Sequence, residues 1–191
     1  MSSSDRLQEH GRAAPARVYI GLGSNQGQSR EILRSAMEDL RERLEDFACS
    51  GMYRTEPLYV SGQPDFLNSA VTGLTGETPE ELLATLQALE ERYGRNRDRE
   101  RRFGPRSLDL DILLFGSRTQ PEPSLTLPHP RLLERRFVLE PLLELDPALR
   151  DPRDGRSLKA YLRDLQDQRV QREEGCPCEN CDEVPAYAAG G

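Results

Sequence analysis

The 191-residue chain carries 33 Asp and Glu against 26 Lys and Arg, a formal net charge of -7 and a sequence pI of about 5.1. That length suits one domain with tails and a sizeable core, and the acidic balance works against nucleic acid and anionic membranes as partners. No stretch approaches the roughly 20 apolar residues that span a bilayer, and the first fifteen residues lack the apolar run of a signal peptide, so a cytoplasmic location is expected.

Residues 1–16, rich in Ser, Ala, Arg and Gly without periodicity, read as a disordered leader. Val18 to Gly23 is a short apolar strand, and Ser24-Asn25-Gln26-Gly27 is turn chemistry. From Ser29 onward, Ile32, Leu33, Met37, Leu40 and Leu44 recur at three- and four-residue spacing, which predicts a long amphipathic helix. A second strand is expected from Phe47 through Tyr53 and a third from Phe66 to Leu74. The Pro- and Gly-bearing stretch between Thr55 and Pro64 reads as a loop. Thr78-Pro79-Glu80-Glu81 opens a helix with a Thr cap, Pro in the first turn and acids at the positive dipole end. Leu82, Leu83, Leu86, Leu89 and Tyr93 form its apolar stripe, and Gly94 ends it.

An Arg-rich loop leads into an apolar strand carrying Asp109 and Asp111 and closed by Gly116. Ser117 to Pro130 is an irregular connection with four prolines. Helical spacing resumes from Arg131 to Leu145 with an interruption at Pro141, and Leu158 to Leu165 gives a last short helix. From Arg169 the chain is polar with Gly, Pro and three Cys, so a domain over 17–168 followed by a disordered tail over 169–191 is expected. The element order is that of a ferredoxin-like α+β fold: an antiparallel sheet with helices packed on one face, plus C-terminal helical additions. Such a layout leaves the open face for a site.

The strand at Leu108 to Leu114 carries the strongest chemical signal. Side chains alternate along a strand, so Leu108, Leu110, Ile112 and Leu114 face a core while Asp109 and Asp111 share the other side, roughly 7 Å apart at Cα. Asp is depleted in strands, and two like charges so placed repel each other. A divalent cation removes the repulsion. Mg²⁺ suits one or two carboxylates, with water and the oxygens of a phosphorylated substrate filling the remaining positions. The bland alternative is a solvated strand face.

Upstream, between Arg92 and Arg106, seven Arg against Asp98 and Glu100 make an island of +5 in a chain that is otherwise acidic. This suggests a small anionic ligand rather than a long polyanion. Only Lys159 is a lysine, so the Arg excess runs through the whole chain and position matters more than residue type. Gly21-Leu22-Gly23-Ser24-Asn25-Gln26-Gly27 fits neither a dinucleotide fingerprint nor a Walker motif. It reads either as a tight turn whose backbone approaches a ligand or another loop, or as a purely structural turn. His129, between two prolines, suits a general acid, a phosphate contact or a structural role equally. Cys176-x-Cys178-x-x-Cys181 supplies three thiols without a neighbouring His, which falls short of a zinc site.

Five segments carry a resemblance. They are Gly23-Ser24-Asn25; Tyr53-Arg54-Thr55-Glu56-Pro57-Leu58; Gln63-Pro64-Asp65-Phe66-Leu67-Asn68; Arg102-Phe103-Gly104-Pro105-Arg106-Ser107-Leu108-Asp109-Leu110-Asp111-Ile112; and Pro128-His129-Pro130-Arg131. In this order they resemble the hydroxymethyl-dihydropterin pyrophosphokinases of folate biosynthesis, over roughly residues 17 to 165. The resemblance implies transfer of pyrophosphate from ATP to the hydroxymethyl group of the pterin, with release of AMP. It also implies two Mg²⁺ ions held by Asp109 and Asp111, and Arg95 and Arg106 beside the reacting groups. Arg97, Arg102 and Arg135 match phosphate contacts, and Gln87, Glu90, Ile112, Thr126 and His129 match positions around the nucleotide. Phe66 and Phe137 would sandwich the pterin, Thr55, Leu58 and Asn68 would read its polar edge, and Phe103 stands where the family often has a closing Trp. The partners it implies are the small molecules ATP and pterin; charge and the lack of an apolar span argue against nucleic acid and membrane, and of the oligomeric states, which the sequence leaves open, a monomer is favoured.

Two other classes share parts of this pattern. A nucleotidyltransferase would use a Gly-Ser turn plus an Asp-x-Asp pair, which here lie far apart in sequence. An RNA-binding module of the same fold would need paired sheet aromatics that the chain lacks.

Overall fold

The computed structural model describes residues 14–57, 62–95 and 104–175. Strand β1 (Ala16–Ser24) lies between β5 and β4 in a six-stranded sheet whose order is β5-β1-β4-β3-β8, with β2 also paired to β4. These strands are β2 (Glu45–Cys49), β3 (Tyr53–Thr55), β4 (Phe66–Thr75), β5 (Asp109–Phe115) and β8 (Val170–Arg172). Every pairing is antiparallel. A separate two-stranded ribbon, β6 (Gln120–Pro121) with β7 (Thr126–Leu127), forms inside the stretch expected to be irregular.

Helices α1 (Ser29–Arg41) and α2 (Pro79–Arg92) cover the first face of the sheet. Their stripes, Leu33, Met37 and Leu40 on one and Leu82, Leu86 and Leu89 on the other, pack with Val18, Ile20 and Leu22 of β1 and with Leu110 and Ile112 of β5. The expected cap of α2 is a full capping box: Thr78 Oγ1 accepts from Glu81 N–H and the Glu81 carboxylate accepts from Thr78 N–H. The second face is partly covered by α3 (Arg136–Leu145) and the short α4 (Leu158–Tyr161). Val138, Leu139, Leu142 and Leu158 join Tyr19, Ala48, Ala70, Leu113 and Leu114 in a second core. The C-terminal additions therefore make a third layer and leave only part of the second face open.

Four local expectations are corrected. The strand expected from Phe47 through Tyr53 is two strands separated by Ser50-Gly51-Met52. Leu114 does not share a face with Leu110 and Ile112. The pairing runs Ile20↔Ile112 and then Tyr19↔Leu114, so Leu113 is an extra, bulged residue that sends Leu113 and Leu114 to the second core and Phe115 back to the first. The helix is not broken at Pro141. It breaks at Arg135, whose extended backbone separates a 3-10 turn at Leu132–Glu134 from α3, and α3 runs through a buried Pro141. Disorder does not begin at Arg169 either. Val170, Gln171 and Arg172 pair with Thr55, Arg54 and Tyr53, because β3 otherwise presents a bare edge next to Met52 and its neighbours. The residues beyond 175, with Cys176, Cys178 and Cys181, lie outside the described residues, as does most of the expected leader.

Candidate active site

The open part of the second face is organised by the sheet register. Gly23 of β1 stands between Asp109 on β5 and Asn68 on β4, and the same row continues to Tyr53 on β3. One step along, Gly21 stands between Asp111 and Ala70. The two glycines leave β1 without side chains where its alternation would put them on this face. A Cβ at Gly23 would lie 3.4 Å from Asn68 Oδ1 and 3.9 Å from Asp109 Cβ. The result is a floor in a cavity of about 360 Å³, with the two carboxylates at one side and Thr55, Phe66, Asn68 and Phe137 at the other.

Asp109 is held between two arginines. Arg95, just past the end of α2, donates to its Oδ1, and Arg106 donates to its Oδ2 at 2.7 Å. Arg95 in turn donates to Glu90, a carboxylate that is 1% exposed and whose Oε1 also accepts Leu110 N–H at 2.7 Å. Glu90 thus anchors both the arginine and the strand immediately after Asp109, which is why a charge so deeply buried is tolerated. Burial and the Asp109 charge push the Asp111 carboxyl well above the usual carboxylate range, against a downward pull from Arg135.

His129 reaches the site through the bulge: its N–H donates to the Leu113 carbonyl at 3.0 Å. Its Nδ1 accepts Arg131 N–H at 3.2 Å, so the ring proton sits on Nε2, which faces Asp111 Oδ2 at 3.9 Å, too far for a direct hydrogen bond. Burial and the Arg135 charge push the imidazole down to about 4, which makes it neutral at pH 7. Arg135 lies over the Phe137 ring at 5.7 Å, and Arg106 lies over Phe66 at the same separation. The Nε of Arg135 is buried and has no hydrogen-bond partner among the described residues.

The turn after β1 is a tie between loops. Asn25 N–H donates to the Arg106 carbonyl at 3.1 Å, its Oδ1 accepts Arg106 N–H at 2.9 Å, and its Nδ2 donates to the Pro64 carbonyl at 3.1 Å. Of the two readings of this turn, approach to another loop is what the structure contains. On the far side, Asn68 Nδ2 donates to Thr55 Oγ1 at 2.9 Å and to the Tyr53 carbonyl at 3.3 Å.

Of the residues singled out from sequence, Arg95, Arg106, Asp109, Asp111, His129, Arg135, Thr55, Phe66, Asn68 and Phe137 come together around this cavity. Glu90 lies beneath Arg95, Ile112 points into the first core, Gln87 is half-buried on α2, and Thr126 on β7 donates to the Glu122 carbonyl. Leu58, Arg97, Arg102 and Phe103 lie outside the described residues. Sequence reasoning missed Gly21, Gly23 and Arg131 as lining residues. The signal for the glycines was available in the alternation Val18, Ile20, Leu22 with glycine between the last two and after them.

Residues 19–147 match the family model described as 7,8-dihydro-6-hydroxymethylpterin-pyrophosphokinase. The chain belongs to this family. It is 42% identical over 172 residues to the 2-amino-4-hydroxy-6-hydroxymethyldihydropteridine pyrophosphokinase of Pseudomonas aeruginosa, covering 88% of this chain and 97% of that one. A pyrophosphokinase of the same name from Synechocystis sp. is 40% identical over 143 residues, covering 74% and 72%. Among solved structures, a Plasmodium falciparum HPPK-DHPS chain crystallised with pterin and p-hydroxybenzoate superposes with a TM-score of 0.65 at 13% identity. That match covers 83% of this chain and 43% of that longer chain, and it shows the shared fold. As a family member the chain is a pyrophosphokinase of folate biosynthesis, transferring pyrophosphate from ATP to hydroxymethyldihydropterin.

Proposed function

We propose that the cavity on the second face is where this transfer takes place, with Asp109 and Asp111 as the ligands of two Mg²⁺ ions and the pterin held between Phe66 and Phe137. The observation that carries the reading is the sheet row itself, which sets a carboxylate pair and a polar-plus-aromatic slot on either side of a glycine floor. The donor set fits Mg²⁺. Asp111 is burdened by the Asp109 charge, which a divalent cation would relieve. Two carboxylates offer oxygen donors only, which suits a hard ion that completes its shell with phosphate oxygens and water. Both Asp109 oxygens accept from arginines, yet each keeps a further lone pair. When bound, such ions offset phosphate charge and make the pterin hydroxyl more acidic.

The protein's own residues supply position and charge. Arg95, Arg106 and Arg135 face the polyphosphate, and the buried, unpartnered Nε of Arg135 supports an anion in its reach. Neutral His129 offers Nε2–H as a donor to a phosphate oxygen rather than a general acid at pH 7. Asn68 and Thr55, fixed to each other, present the polar edge that a pterin needs, and the two Phe rings present faces for its flat bicycle. With reactants held for in-line attack of the hydroxymethyl oxygen on the β-phosphorus, orientation and charge stabilisation carry the acceleration without a protein base. Arg97, Arg102, Phe103 and Leu58 complete this reading as phosphate and pterin contacts, and Gln87, Glu90, Ile112 and Thr126 as the nucleotide side. The unit that works is residues 17 to about 173, acting as a cytoplasmic monomer.

The test is AMP formation dependent on the pterin alcohol in Asp109→Ala and Asp111→Ala. Turnover at saturating ATP and Mg²⁺ should fall by at least about 1000-fold in each. Retention of most activity in both variants defeats the metal role, and pyrophosphate release in place of AMP would favour the nucleotidyltransferase alternative.

A further inference from the structure

The segment after the last helical turn, Gln168 to Glu173, touches both walls of the proposed pterin slot. On one side the Gln168 side chain straddles Arg135: its Oε1 accepts Arg136 N–H at 2.9 Å and its Nε2 donates to the Glu134 carbonyl at 2.8 Å. Arg136 is the first residue of α3, and no residue at the helix's own N-cap offers a side-chain bond, so Gln168 supplies the missing cap from outside. Phe137 is the next residue.

On the other side, only two residues further along the chain, Val170 pairs with Thr55 and Arg172 with Tyr53. Thr55 and the Tyr53 carbonyl are the two acceptors of the Asn68 amide. The far end of the segment is fastened as well. Arg172 and the Tyr53 hydroxyl both donate to Glu144 of α3, at 2.7 and 2.5 Å, while Glu173 accepts from Arg30 at 2.7 Å and from Arg54 at 2.8 Å. Two residues of extended chain reach about 7 Å, so a cap on α3 and a strand on β3 joined by so short a piece cannot move independently.

We propose that Gln168 and β8 form a strap that sets the width of the pterin slot, with Gln168 as a positioning residue for Phe137. This rests on the reading that Phe137, Thr55 and Asn68 hold the pterin. The strap acts on one substrate more than the other. Arg95, Arg106 and Asp109 stand on the α2 and β5 side of the cavity, and the backbone of Arg135 is separately held by Val138 and Leu139, whose N–H groups donate to its carbonyl at 3.1 Å.

The experiment uses the full chain with Gln168→Ala, Gln171→Pro in the middle of β8, the double variant, and Phe137→Ala as a control, with folding checked by thermal unfolding. Gln168→Ala should raise the KM for the pterin about three- to tenfold, the scale of one or two lost neutral hydrogen bonds, with the KM for ATP and kcat within about twofold. Gln168→Glu keeps the acceptor for Arg136 and should recover part of the loss. Because both sites act through one strap, the double variant should raise the pterin KM by less than the product of the single effects. An unchanged pterin KM in Gln168→Ala, or equal rises for pterin and ATP, overturns the strap while a raised pterin KM in Phe137→Ala leaves the slot standing. An unchanged pterin KM in Phe137→Ala removes the slot reading itself and the strap with it. If Gln171→Pro does not fold, the Gln168 variants decide alone.

Discussion

Gly23→Ala separates stability from function at the cavity floor. Glycine inside a strand costs roughly 0.5–1 kcal/mol relative to alanine because the unfolded chain has more freedom to lose. Gly23 has no left-handed backbone that would demand glycine, since among the described residues the positive-φ glycines are Gly27, Gly62, Gly94, Gly116, Gly155 and Gly175. The added Cβ would meet Asn68 Oδ1 at 3.4 Å and Asp109 Cβ at 3.9 Å, ordinary contacts that do not force the sheet apart. The expected outcome is therefore a protein as stable as the parent or up to about 1 kcal/mol more so, a Tm shift of about 0 to +4 °C for a chain of this size. Yet the methyl stands on the floor between the carboxylate pair and the pterin edge, so kcat/KM should fall about 10- to 100-fold, or roughly 1.4–2.8 kcal/mol of lost transition-state stabilisation. Gly21→Ala is the contrast: its Cβ would press on Leu113 Cδ1 at 3.2 Å, so the bulge must give and stability should drop by about 1 kcal/mol. Thermal unfolding of the substrate-free protein and steady-state AMP formation measure the two effects. A Gly23→Ala protein with unchanged kcat/KM, or one destabilised by more than about 2 kcal/mol, would refute the floor argument.

Two further outcomes follow from the charges. Asp111 has a folded-state pKa raised above its unfolded value, so the native state holds the extra proton and stability from this group falls as pH rises from the usual carboxylate range through the raised value. Asp111→Asn should then be inactive but more stable than the parent in EDTA, by a margin that grows from pH 5 to pH 8 in thermal melts; a margin that shrinks contradicts the assignment. Glu90→Gln keeps an acceptor for Leu110 N–H but removes the charge that balances Arg95, and should cost about 1–3 kcal/mol in urea unfolding while raising the KM for ATP, with both effects absent if Glu90 is a bystander.

The legible parts of this fold were those written in local pattern. The Thr78-Pro79 start, the Gly94 stop and the helix from Ser29 each depend on a few neighbouring residues and stand as expected. The Asp109/Asp111 pair was legible because two charges in an aliphatic strand violate its composition. What stayed hidden depends on partners distant in sequence. The bulge at Leu113 is set by pairing with β1 and is invisible in an unbroken aliphatic run, and β8 is three residues, Val170-Gln171-Arg172, in an otherwise polar stretch, that form a strand because β3 offers an edge. The continuity of α3 through Pro141 follows from burial against the second face, which offsets one missing backbone bond.

The third layer does more than cover the sheet. Because α3 starts only at Arg136, its apolar side seals the second face over Tyr19, Ala70 and Leu114, while Arg135 just before it and Phe137 in its first turn overhang the part it leaves uncovered. The bulge serves the same end from below. An unbroken β5 would leave Leu113 alone on the second face and turn Leu114 toward the α1 and α2 face with Leu110 and Ile112. The extra residue instead gives α3 two leucines to pack on and places the Leu113 carbonyl where His129 N–H can take it. One irregularity in the edge strand thus fixes both the helix that carries the site's upper wall and the histidine beside Asp111, which is why the aliphatic run after the carboxylates matters as much to the site as the carboxylates themselves.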